Sequence, residues 1–157
     1  MKFRVASLLI LVGGMAHAGG TFDSTGTITG QSTTKLYPVG EGQMVMEVTV
    51  SHDVFDMATE GHPFSGMSGT CTGGAQIRGP ALTGSGVCQY SNESGDMAFL
   101  KWDMDSLSPE GATMGGWTMI GGTGTHAGIS GGGRFVSATN RETGAVSLTL
   151  DGAVSLP

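Results

Sequence analysis

The chain has 157 residues, 29 of them glycine, and a formal charge of −6. That balance leaves no basic surface for nucleic acid or an anionic membrane, and the length supports one domain with a core of its own rather than two. Glycine, serine and threonine are scattered throughout, no stretch keeps a helical period, and strands are the expected element.

At the start, Lys2 and Arg4 precede the apolar run Val5 to Val12, and Ala16-His17-Ala18 closes it with a small-x-small pattern. This predicts a signal peptide cleaved after Ala18 and a periplasmic or secreted protein. The run falls short of the roughly 20 apolar residues a spanning helix needs, and no other segment comes near that length, so no membrane span is expected. Loss of Lys2 and Arg4 takes seven basic residues to five against thirteen acidic ones, a formal charge of −8. The expected domain is residues 19–157.

Ile28 to Val39 and Gln43 to Phe55 flank Gly40-Glu41-Gly42 as a hairpin. In the second strand Met44, Met46, Val48, Val50, His52 and Val54 alternate with Glu47, Thr49, Ser51 and Asp53, which places the first set inward. Met57 to Gly66, with Glu60, His62, Pro63 and Phe64, reads as a loop over one end. Ser68 to Arg78 and Gly84 to Ser91 flank a turn at Gly79-Pro80. A turn centred there sets Cys71 opposite Cys88. In an oxidising compartment these two cysteines should form a structural disulfide, since neither shows the Cys-x-x-Cys spacing of a redox pair.

Met97 to Asp105 follows the turn Asn92 to Asp96, with Ala98, Leu100, Trp102 and Met104 inward against Lys101, Asp103 and Asp105. Gly116 to Gly121 and Gly128 to Ser137 are joined by a glycine-built corner that holds His126. Ala145 to Asp151 closes the series, with Val146, Leu148 and Leu150 inward against Ser147, Thr149 and Asp151. The count is about eight, what a small closed antiparallel barrel requires. The predicted fold is therefore all-β: a single eight-stranded antiparallel β-barrel with one cross-strand disulfide.

Chemistry is thinly marked. His52 sits on an apolar strand face, where it must find a hydrogen-bond partner or stay neutral. His62 lies in the loop and His126 in the glycine corner. No His-x-His pairing supports a metal site among them, and no cofactor is expected. There is no Gly-x-Ser-x-Gly elbow, and the glycine-rich stretch lacks the Gly-Lys-Ser/Thr ending of a phosphate loop.

The segment Trp117 to Phe135, WTMIGGTGTHAGISGGGRF, resembles the Gly-Gly-Thr-Gly-x-aromatic-Ala-Gly-x-x-Gly pattern of the dirigent and allene oxide cyclase-like barrel families. Small exported bacterial proteins with such barrels look similar from about Gly69 to Ser137, through the cysteine hairpin, the Gly95-Asp96 turn and the aromatic strand Phe99 to Trp102. The resemblance implies an eight-stranded barrel, often with an apolar lumen and often oligomeric. It departs from the pattern at His126, where a Tyr or Phe is usual, and no catalytic residue is carried over.

These features favour an exported barrel that takes a small apolar or aromatic molecule into a lumen lined by Met44, Met46, Val48, His52, Leu100, Trp102 and Met104. The methionines suit an irregular apolar wall. Two alternatives stand beside it: a structural or homo-oligomerising module without ligand, and a cofactor-independent cyclase or isomerase using His52, with His62, as acid/base.

Overall fold

A computed structural model of the chain describes residues 19–157; the signal-peptide reading falls on residues 1–18, outside the described part. The strands are β1 (Gly20–Asp23), β2 (Gly26–Gly40), β3 (Gln43–Met57), β4 (Ser68–Arg78), β5 (Ala81–Ser91), β6 (Met97–Leu107), β7 (Thr113–Gly122), β8 (Ser130–Thr139) and β9 (Ala145–Leu156), with one 3-10 turn, Gly124–His126, between β7 and β8. They form one antiparallel sheet in the order β1-β9-β2-β3-β4-β5-β6-β7-β8, closed by pairing of β8 with β9. The architecture is an eight-stranded barrel, β2 to β9, plus the short strand β1.

β1 is the element the sequence reading did not foresee. It continues the line of β2 along β9 in one register, Asp23 opposite Ala153 and Gly26 opposite Leu150. The interruption falls at Ser24-Thr25, where the Ser24 N–H donates to the Gly152 carbonyl. The Gly79-Pro80 turn gives the expected register: Cys71 pairs with Cys88, and the disulfide between them closes β4 onto β5.

Alternation puts Ala98, Leu100 and Trp102 inside on β6, and Val146 and Leu150 inside on β9. On β3 it holds as far as His52 and then reverses. His52 pairs with Gly30 and Val54 with Thr29, so Asp53 is an extra, bulged residue. A one-residue insertion exchanges the two faces of a strand. Val54, expected inside, is therefore 57% exposed, and Phe55 packs against the core in its place.

Two facing glycines admit one of the two core tryptophans. Gly73 pairs with Gly86, and Gly86 with Trp102. A Cβ on either glycine would run into the Trp102 indole, so the ring lies across a wall that only glycine can provide.

The two ends of the barrel differ. At one, tight connections at 41–42, 79–80, 108–112 and 140–144 leave a mouth. Here β2 runs past its pairing with β9, which stops at Gln31, and the wall stands open above that point. At the other, residues 58–67 fold across the barrel, with Phe64 and Met67 fully buried.

Candidate functional site

The lumen is a cavity of about 700 Å³ that opens at the mouth. Met46, Val48, His52, Leu100, Trp102 and Met104 line it, as expected from their stripes. Met44 does not. It pairs with Pro38 and Ile77 close to the rim and borders a separate pocket of about 70 Å³ with Gln76 and Arg78.

The sequence reading missed two parts of the wall. One is a polar band near the mouth, with Ser32 and Thr34 on β2, Ser137 and Thr139 on β8, then Asn140 and Arg141. The other is Tyr90, which the alternation from Cys88 would have placed inward. No Asp or Glu side chain lines the cavity among the described residues.

Deep in the lumen, His52 and Tyr90 meet beside the disulfide. His52 Nδ1 lies 2.9 Å from the Tyr90 hydroxyl, which is itself 3.1 Å from Cys71 Sγ. Burial lowers the His52 pKa to about 4, a shift the Asp53 carboxylate opposes only weakly, so the imidazole is neutral at ordinary pH. The same desolvation pushes the Tyr90 phenol above its usual value. Phe55 stands edge-on to both rings and to Phe64, which makes the floor an aromatic cluster.

The closed end is held by His62 and His126. His62 Nδ1 accepts from the Phe64 N–H at 3.0 Å, which leaves Nε2–H to donate to Ser24 Oγ, also at 3.0 Å. Burial lowers its pKa to about 4 against a weaker opposing pull from Asp23. His126 is 4% exposed and donates from Nε2 to the Pro63 carbonyl at 2.8 Å. Asp96 holds the corner by accepting from the Thr125 N–H and hydroxyl.

No protein-family model matches the chain, and no curated protein matches it. Among solved structures, a pterocarpan synthase dirigent protein superposes with a TM-score of 0.51 at 14% identity, covering 96% of this chain and 98% of that one. The fold is dirigent-like. The match supports the dirigent side of the resemblance in the glycine segment, and at this identity it speaks to the fold alone.

Within this dirigent-like barrel the candidate residues sort by place. His52 faces the lumen, whereas His62 and His126 are tied into the closed end, His62 through both ring nitrogens to Phe64 and Ser24 and His126 through Nε2 to the Pro63 carbonyl. Among the described residues, no group of three or more His, Cys, Asp or Glu side chains is arranged to hold a metal ion. What the lumen offers a guest is a large apolar surface, one neutral imidazole at depth and a polar band near the entrance.

Proposed function

We propose that the chain is an exported protein that binds a small apolar or aromatic molecule in the barrel lumen. The observation that carries this reading is the open cavity of about 700 Å³, within the range that holds drug-sized ligands and walled mostly by apolar and aromatic side chains. A barrel built only for stability fills its interior with side chains to the density of an organic crystal. Export is supported by the signal-like leader and by the disulfide, which persists in oxidising compartments.

Native mass spectrometry of protein purified from the exporting cell tests both parts. The expected result is a mature oxidised chain starting at Gly19 that carries a small molecule, the same spectrum giving the number of subunits. Leu100→Trp, which fills the middle of the lumen, should release that molecule while the fold persists. A bare chain that also fails to take up an apolar naphthalene dye would overturn the binding reading and favour the structural alternative.

A further inference from the structure

The hydrogen-bond polarity at the lumen floor selects among apolar ligands. The Tyr90 hydroxyl has one proton and two neighbours able to accept it, His52 Nδ1 at 2.9 Å and Cys71 Sγ at 3.1 Å. The sulfur belongs to a disulfide, so it has no proton to give and is a weak acceptor, whereas an unprotonated imidazole nitrogen is a strong one. Two arrangements fit these distances, Nδ1–H donating to Tyr90 with its O–H on Sγ, or Tyr90 O–H donating to Nδ1, and the second gives the phenol the stronger acceptor. A neutral imidazole carries a single proton, and with Nδ1 accepting, that proton sits on Nε2.

Nε2 has no hydrogen-bond partner among the described residues, yet it is not sealed off, because no buried side-chain nitrogen or oxygen is left unpaired. His52 is 4% exposed and lines the cavity, so the remaining opening for Nε2 is the lumen. Beside His52 the wall carries Val50, the disulfide and the Tyr90 ring, and the first hydroxyl above them on β2 is that of Ser32, opposite Val50. The polar band lies nearer the mouth. The floor thus presents one N–H donor in an apolar setting.

We propose that this protein takes a neutral apolar molecule carrying a hydrogen-bond acceptor, such as a ketone or ester carbonyl, at its inner end, and that His52 Nε2–H donates to it. The inference rests on the lumen-binding reading and deepens it. A ligand with only a donor at that end would leave Nε2–H unpaired and oppose donor to donor. A carboxylate would surrender its hydration for one neutral hydrogen bond.

The test uses prodan, a dimethylaminonaphthalene bearing a propionyl group, and the analogue in which propyl replaces propionyl. The wild-type protein should bind prodan about tenfold more tightly than the propyl analogue, the worth of one buried hydrogen bond. In His52→Phe the preference for prodan should be lost, because its propionyl carbonyl then has no donor, and His52→Gln should restore part of the preference. Nitrogen-15 shifts of His52 in the unliganded wild-type protein should report the Nε2–H tautomer, a readout independent of how any variant folds. Equal affinities for the two dyes in the wild type, or an Nδ1–H tautomer, would overturn the donor assignment and leave lumen binding standing. Failure of both dyes to bind would overturn the lumen reading and this inference with it.

Discussion

At the scale of single residues, two demands stand out. The first is steric: Trp102 needs bare backbone at Gly73 and Gly86. Gly86→Ala should destabilise the protein by roughly 2 kcal/mol through overpacking, and displacement of the indole should shift the tryptophan emission. A wild-type urea midpoint in that variant would show that neither the indole nor the Thr72 carbonyl resists the added methyl. The second is electrostatic. His52 and His62 are neutral when folded, with pKa values of about 4, against 6.5 for an ordinary histidine. Between those values the unfolded chain binds protons that the folded chain refuses, so stability is full above pH 6.5 and falls as pH drops towards 4. The expected loss is roughly 2 kcal/mol for each histidine, read from urea unfolding at pH 7 and pH 4.5, and His52→Phe should remove one share. Asp23 and Asp96 are held below the usual carboxylate range by hydrogen bonds from threonine, and Asp105 by Arg134 and Ser106, so their contribution is lost at lower pH still. Inward residues on β6 and β9 were legible because simple alternation holds there. Val54 was not, since nothing in its neighbours announces that Asp53 bulges, and the burial of His126 depends on a carbonyl, that of Pro63, far away in the chain.

Among the elements, the connection of residues 58–67 is the one whose role the structure changes most. Composition marked it as a loop over one end, and it forms a plug. Phe64 is fully buried against Phe55, Tyr90 and Trp117, and the backbone around it is tied down through His62 and His126. Phe64→Ala should cost about 3–5 kcal/mol and open a second way into the lumen. A bound naphthalene dye would then dissociate faster in stopped flow, while an unchanged off-rate would show that the plug does not limit exit. β1 escaped the sequence reading because Gly20–Asp23 is too short to display a period; its existence depends on β9 lying alongside. The register of the β4–β5 hairpin was legible, since one Gly-Pro turn fixes it and the cysteine pair checks it, although β5 begins at Ala81, three residues before the expected Gly84. Met44 shows the opposite limit, because alternation gives a face but not a height, and a residue near the rim shares the stripe without sharing the cavity.

For the whole molecule, closure is the costly event. Gly26 must find Leu150 before the lumen exists, so much of the chain lies inside the loop that this pairing closes. Barrels dominated by such distant pairings fold slowly, and refolding from urea should take milliseconds to seconds. Stopped-flow fluorescence of Trp102 and Trp117 should resolve this phase, and loss of the full amplitude within the mixing dead time would contradict it. The same β9 that completes the wall also carries β1 at its far end, Gly20 opposite Leu156. Residues 20 and 156 therefore stand together at the plugged pole, across the barrel from the mouth. Anything joined to the molecule through either of these strands, whether an affinity label, a solid support or a fused protein, attaches at the base of a cup. The rim stays unobstructed, and an immobilised sample keeps the same access to its interior as one free in solution.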